Sequence, residues 1–311
     1  MRTPLVPFPG TNVLVKPESL QPTGAFKLRG AYATISALSP EDRQRGVVAH
    51  SSGNHGYAVA YAAARLGVKA VIVVPENAPP VKTDAIAACG AELVRVEPTM
   101  AARLAASAEI ARSRGYAEIP PFEDPRVIAG QGTIGLEIAE DFAVRAEAPA
   151  AVLVPVSGGG LISGIAVAIR ALLPGTQVIG VEPELAADAR DSLRRGTPVA
   201  WPAADVARTA ADALRVEKVG DLTFAHIREL VSDIVTVTEE EMLTAIRRLA
   251  LEARLVAEPG GAVAVAAALA RQEHASVTST TSAGGTAGDR PVVAILSGGN
   301  VAPGLLASVL A

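Results

Sequence analysis

Apolar residues along this chain gather in short unbroken runs rather than alternating with polar ones. Val13-Leu14-Val15, Gly46-Val47-Val48-Ala49, Ala70-Val71-Ile72-Val73-Val74 and Glu92-Leu93-Val94-Arg95-Val96 are the first four. Ala151 to Val156, Val178 to Val181 and Pro291 to Leu296 repeat the pattern. Such runs predict parallel strands covered on both faces. Between them, Ala58 to Leu66, Val81 to Cys89, Ala101 to Ser113 and Leu161 to Leu172 read as helices. Strands alternating with helices predict an α/β fold with right-handed crossovers. The 311 residues suffice for two domains or one large α/β unit.

Ligands of α/β folds sit at the carboxyl ends of strands, so the strand-to-helix turns carry the chemistry. Three turns are rich in Gly and Ser: Ser51-Ser52-Gly53-Asn54-His55-Gly56, Ser157-Gly158-Gly159-Gly160-Leu161 and Ser297-Gly298-Gly299-Asn300. Glycines ahead of a helix let backbone N–H groups converge on one anion, which the helix dipole also favours. Each turn also has a bland reading, as a tight turn, an N-cap or a strand-end hydroxyl. His55 reads first as a turn or packing residue. Neither a P-loop nor the dinucleotide-fingerprint spacing is present, so ATP and NAD fit poorly.

Lys27 lies between Phe26 and Leu28, just after Pro22-Thr23-Gly24-Ala25. A desolvated lysine has a lowered pKa and becomes a nucleophile toward a carbonyl. Its simplest use is a Schiff base with pyridoxal phosphate. That reading requires a phosphate cradle, a partner for the pyridine nitrogen and a holder for the ring hydroxyl.

Composition narrows the alternatives. Half the residues are hydrophobic, many of them alanine, and only 3% are aromatic, which leaves no stacking platform for single-stranded nucleic acid. A net charge of -4 offers nothing to a polyanion. The single Cys89 excludes an internal disulfide and a Cys-rich metal site, and it reads as a small buried helix residue. There is no apolar signal core and no apolar run of about 18 residues, so a cytoplasmic protein without a membrane partner is expected. The Ser-, Thr- and Gly-rich stretch His274 to Arg290 is expected to be a surface loop.

Taken in order, Pro-Thr-Gly-Ala-Phe-Lys, Ser-Ser-Gly-Asn-His-Gly, Ser-Gly-Gly-Gly-Leu and Ser-Gly-Gly-Asn resemble the fold-type II pyridoxal-phosphate enzymes. Within them the chain is similar to the threonine/serine dehydratase and serine racemase group. Pro125 to Gly135 and Glu258-Pro259-Gly260-Gly261-Ala262 extend the match, which runs from Thr3 to Asn300. The motifs are specific for the group and weakly specific for substrate.

The resemblance implies a tryptophan synthase β-like fold of two α/β domains with the cofactor in the cleft. Residues 1–39 and 124–311 would form the large domain and residues 40–123 a small inserted one. Lys27 would be the Schiff-base lysine with Phe26 beside the ring. Asn54 would bond the ring hydroxyl, and Ser157, Gly158, Gly159, Gly160 and Leu161 would hold the phosphate. Ser297 would meet the pyridine nitrogen. Ser52 falls where racemases of the group keep an acid/base opposite the lysine. The turn Ser51, Ser52, Gly53, Asn54 and His55 would face the substrate carboxylate. A homodimer is expected.

A hydroxyl at Ser297 stabilises a protonated pyridine less than a carboxylate does, so loss of a β-leaving group competes well. The expected reaction is β-elimination from L-threonine or L-serine, with Lys27 removing the Cα proton and a 2-oxo acid and ammonia released. A serine racemase with dehydratase activity and a 3-hydroxyaspartate dehydratase, in which Arg215 would meet the second carboxylate, are the alternatives. An inactive paralogue that binds the cofactor or an amino acid is a different class, against which Lys27, Ser52, Asn54 and Ser297 together argue.

Glu182-Pro183-Glu184-Leu185-Ala186-Ala187-Asp188 reads from spacing as a solvated acidic turn or as a set of oxygen donors for Mg²⁺ or Ca²⁺. The resemblance implies a divalent-cation site of Glu182, the Ala186 carbonyl and Asp188, taking Mg²⁺ or else Ca²⁺ or Mn²⁺. Tyr57, Pro120 and Ala213 depart from the group's usual residues near the expected substrate pocket. No segment after Ala311 could form a regulatory domain, so feedback control by isoleucine is not expected.

Overall fold

A computed structural model describes residues 1–145, 147–278 and 290–311. Among them, ten strands form two sheets. In chain order these are β1 (Val6–Pro7), β2 (Val13–Pro17), β3 (Val47–His50), β4 (Ala70–Pro75), β5 (Glu92–Val96) and β6 (Ala117–Glu118). β7 (Ala151–Pro155), β8 (Gln177–Pro183), β9 (Asp233–Val237) and β10 (Val292–Leu296) follow. The larger sheet runs β1-β2-β10-β7-β8-β9 and the smaller β5-β4-β3-β6. Apart from β1 against β2, every pairing is parallel. Val13 pairs with Val292 and Val152 with Val293, so strands from both ends of the chain meet in the middle of one sheet. β2 and β7 are buried throughout, as expected, but β5, also expected to be a buried strand, is an edge strand with Glu92 and Arg95 exposed and its apolar residues half-buried, because no neighbouring strand covers its outer side.

The helices are α1 (Lys27–Ser36), α2 (Pro40–Arg45), α3 (Asn54–Arg65), α4 (Pro80–Ala88), α5 (Met100–Arg114), α6 (Pro125–Ala143) and α7 (Gly160–Leu172). After them come α8 (Asp188–Arg195), α9 (Ala203–Val206), α10 (Asp221–Leu230), α11 (Glu239–Arg248), α12 (Pro259–Thr278) and α13 (Pro303–Leu310). One core joins the large sheet to α11 and α12, and a second joins its other face to α6, α7 and α10. Ile134, Ile138, Ile162, Ile165 and Ile169 are fully enclosed in the second. Each such side chain contributes about 1.5–3 kcal/mol.

The expected runs are all strands, with ends shifted by one or two residues. β1, β6 and β9 were not expected. The first two are two residues long, and β9 is an open edge with a half-exposed face, so none shows an unbroken apolar run. Two further expectations are corrected. The alanine-rich α12 propagates through His274 to Thr278, so the expected surface loop does not begin there, and residues 279–289 of that stretch lie outside the described residues. Cys89 is the half-buried C-cap of α4 rather than a fully buried helix residue.

α1 lies between the two layers. Leu28, Ala31 and Ile35 pack into the small-sheet core with α3, while its other side crosses α6. The crossing is backbone to backbone: a Cβ on Gly130 would come within 2.6 Å of the Gly30 Cα. Arg29 then reaches two carboxylates at once. Its Nε and Nη2 donate to Glu18 at 2.7 and 2.8 Å, and its Nη1 and Nη2 donate to Glu137 at 2.6 and 2.9 Å. The fully buried Lys16 donates to the same Glu137 at 2.7 Å and to the Thr3 carbonyl at 2.6 Å. Burial opposes the Arg29 charge, but the two carboxylates more than offset it and its pKa goes up. Helix α1, and with it Lys27, is thereby fixed in position and rotation.

Candidate active site

Lys27 is the first residue of α1, and its amine points at the loop leaving the small sheet, donating to the Pro121 carbonyl at 2.7 Å. The Phe26 ring centroid lies 5.2 Å away. Burial lowers the Lys27 pKa to about 8. One residue beyond Pro121, the Phe122 ring lies against Gly158, and its Cβ and backbone lie against Gly160.

Those glycines belong to the turn from β7 into α7. Gly159 has φ +91°, and a Cβ there would sit 2.7 Å from the Thr223 hydroxyl. The Thr223 Oγ1 donates to the Gly158 carbonyl at 2.6 Å, which anchors the turn to α10. The first N–H groups of α7, from Gly160 and Leu161 on, have no partner within their own helix. A turn of bare backbone at a helix N-terminus attracts an anion.

Ser297 follows β10 and is buried. Its carbonyl accepts from Phe26 N–H at 3.0 Å, and Ala25 bridges Gly298, so the Lys27 loop is stitched to the Ser297 turn. The Ser297 hydroxyl donates to the Gly260 carbonyl at 3.5 Å.

Asn54 opens α3 on the small-sheet side. Its Nδ2 donates to Glu258 at 2.6 Å, and its Oδ1 accepts from Asn300 Nδ2 at 2.7 Å. Asn300 also donates to the Thr23 carbonyl at 2.9 Å. Glu258 sits just before α12, 5% exposed, with burial raising its pKa to about 7. The segments that carry Lys27, Asn54 and Ser297 are thus joined by hydrogen bonds through Phe26, Thr23 and Asn300, and the Gly158–Gly160 turn adjoins them through Pro121 and Phe122.

Ser51, Ser52 and Gly53 form the turn from β3 into α3. The Ser51 Oγ accepts from the Gly53 N–H at 3.2 Å. The buried His55 ring meets the Ile119 carbonyl at 2.8 Å, which requires a proton on Nε2. Burial, reinforced by the Lys27 charge, pushes its pKa down to about 3, so the ring stays neutral and packs.

Glu182, Ala186 and Asp188 form a second cluster where β8 enters α8. Glu182 is fully buried and accepts from the Ala189 and Arg190 N–H groups at 3.1 and 2.8 Å, capping α8. Burial first, then the Asp188 charge, raise its pKa well above the usual range. Asp188 is raised to about 7 by burial, and its Oδ2 is buried with no hydrogen-bond partner among the described residues. Among the described residues no cluster of three or more His, Cys, Asp and Glu is poised for a metal. The backbone near Val219 favours the charged form of Asp188, and the neighbouring Gly220 N–H donates to the Gly158 carbonyl at 3.3 Å, which links this cluster to the glycine turn.

Two residues had no assigned role from sequence. Glu258 and Asn300 were visible only as parts of glycine-containing motifs. An acid directly before Pro-Gly-Gly, at the end of an apolar stretch, was the available signal. Arg215, considered for a second substrate carboxylate, instead donates to the Thr209 carbonyl through Nε at 2.9 Å and Nη2 at 2.5 Å.

The family described as "Pyridoxal-phosphate dependent enzyme" matches residues 1–298. The chain belongs to this family. It is 40% identical over 292 residues to the L-threo-3-hydroxyaspartate ammonia-lyase of Saccharomyces cerevisiae, covering 94% of this chain and 84% of that one. It is 42% identical over 292 residues to the L-threonine ammonia-lyase of Thermotoga maritima, covering 94% of this chain and 68% of that one. The solved structure of maize serine racemase superposes with a TM-score of 0.88 at 35% identity, covering 99% of this chain and 91% of that one. The expected fold-type II α/β architecture and the dependence on pyridoxal phosphate both hold.

The residues present fit that cofactor. An amine freed of part of its proton affinity lies beside a cradle of bare backbone. Side chains on Gly158 and Gly159 would collide with Phe122 and Thr223.

Proposed function

We propose that this family member is an ammonia-lyase for small hydroxy amino acids, L-threonine and L-serine first. The carrying observation is that the three distant segments carrying Lys27, Asn54 and Ser297 are hydrogen-bonded to one another beside the Gly158–Gly160 turn. Bound pyridoxal phosphate supplies an aldehyde for an amine and a ring that withdraws electrons from the substrate Cα. Lys27 would hold that aldehyde until the substrate amine displaces it, and the freed Nζ would then take the Cα proton. Asn54 donates to the ring hydroxyl. Gly158, Gly159, Gly160 and Leu161 bind the phosphate through backbone N–H groups, with Ser157 at the mouth of the turn. Ser297 offers the ring nitrogen a neutral hydroxyl, which favours departure of the β-hydroxyl as water over prolonged charge storage. The Ser51 to His55 turn, at the N-terminus of α3, orients the substrate carboxylate.

Release of ammonia and 2-oxo acid from L-threonine, L-serine, D-serine and L-threo-3-hydroxyaspartate tests this reading. Silence on all four substrates by a cofactor-loaded protein would sink it. A second reading, racemisation of serine, is favoured by the Ser52 hydroxyl in the turn after β3. It requires D-serine to appear from L-serine, and S52A to abolish that without abolishing 2-oxo acid release.

Glu182, the Ala186 carbonyl and Asp188 would hold a divalent cation such as Mg²⁺. The support is the partnerless buried Asp188 Oδ2 beside a second buried carboxylate, a set of hard oxygen donors. The cation would brace the loop that touches the glycine turn. We also read the two sheets as two domains, residues 40–123 inserted between 1–39 and 124–311, in a cytoplasmic homodimer. Light scattering on the purified protein checks the last point.

A further inference from the structure

Asn54 is the one cofactor-facing side chain assigned here whose chemistry depends on which way it is turned. A carboxamide has a donor end and an acceptor end of nearly the same shape. Turned one way, Asn54 donates a hydrogen bond to a ring oxygen; turned the other way, it presents an oxygen to that oxygen and repels it.

Two neighbours set its direction. Glu258 Oε1 lies 2.6 Å from Asn54 Nδ2, and the ionised Glu258 carboxylate only accepts, so in that form the nitrogen must face it. Asn300 Nδ2 lies 2.7 Å from Asn54 Oδ1 and donates to it. Asn300 is itself held, because the same Nδ2 donates to the Thr23 carbonyl at 2.9 Å and its Oδ1 lies where a Cβ on Gly24 would be, 2.3 Å away. Glu258 is held too: its Oε1 lies 2.2 Å from where a Cβ on Gly298 would be, so only glycine leaves room for the carboxylate. Both contacts cross from the large-sheet segments to the first residue of α3. They leave Asn54 Nδ2 with one unused hydrogen.

We infer that Glu258 and Asn300 are positioning residues that lock the Asn54 amide with its remaining N–H toward the ring oxygen of the cofactor. The inference rests on the reading that Asn54 meets that oxygen. Asn300 does a second job through Thr23, setting the distance between the Asn54 turn and the loop that carries Lys27.

The experiment uses the cofactor-loaded protein and reads its visible absorbance band and its dissociation constant for pyridoxal phosphate. N300D is the sharpest variant, since it keeps the size of the side chain, sits at an exposed position and replaces the donor with an acceptor. It should move the band and weaken cofactor binding by roughly tenfold, more than N300A does. E258A should move the band the same way as N300A. In an N54A background N300D should change the band and the affinity by less than about twofold, because its effect runs through Asn54. Equal effects of N300D with and without Asn54 would overturn the inference and leave the Asn54 reading standing. An unchanged band in N54A itself would overturn the Asn54 reading and the inference with it.

Discussion

The Lys27 amine donates to the Pro121 carbonyl at 2.7 Å. One hydrogen bond therefore joins the helix between the two layers to the strand of chain leaving the small sheet. Because Phe122 next along lies on Gly158, the same segment spans from the nucleophile to the anion cradle. A bound aldehyde would replace that carbonyl as the partner of the amine.

The pH dependence of cofactor capture follows. Burial removes water from the charged amine and lowers its pKa from 10.5 to about 8, so the neutral, nucleophilic form gains population as pH rises through that value. The rate at which apoenzyme captures pyridoxal phosphate should rise about tenfold between pH 7 and pH 9 and then level off. A rise that continues to pH 10.5 would show an unshifted lysine. K27A should bind the cofactor without forming the borohydride-fixable bond.

The glycine turn should tolerate no side chain at Gly159. Its φ of +91° strains any other residue, and the added Cβ would lie 2.7 Å from Thr223 Oγ1. G159A should weaken cofactor retention by at least about tenfold, measured by absorbance after dialysis. T223A relieves the contact but not the backbone strain, so G159A/T223A should recover only part of the loss.

Arg29 should matter more to stability than to chemistry. R29A leaves Glu18, fully buried, and Glu137 facing each other without their shared cation. Loss of one partner of a buried ion pair costs about 3–5 kcal/mol, readable by urea unfolding. R29K restores the charge without the paired geometry and should recover only part of it. An R29A protein as stable as the parent would mean that the tight crossing of α1 on α6 alone holds the helix.

Divalent cations should stabilise the folded protein through Asp188 and Glu182. A cation at a hundredfold excess over its Kd adds about 2.7 kcal/mol, seen as a higher Tm with Mg²⁺ than with EDTA. D188N should remove most of that difference. An identical Tm for the parent with Mg²⁺ and with EDTA, together with no metal by elemental analysis, would dismiss the site.

By itself the sequence determined the two-layer α/β plan, because unbroken apolar runs have no stable place except inside covered parallel sheets. It also determined the residue types at the cofactor site, because glycine turns, a lysine beside an aromatic and a strand-end serine are local patterns. The tertiary structure decided what those residues touch. The pairing of β2 with β10, and the reach of Arg29 to Glu137, depend on segments more than a hundred residues apart. The Pro121 partner of Lys27 is a backbone oxygen that no side-chain pattern encodes. Glu258 and Asn300 acquire a role only when α3 is brought against the start of α12 and the end of β10. An amide's direction is set by the donors and acceptors around it, and those are assembled by folding.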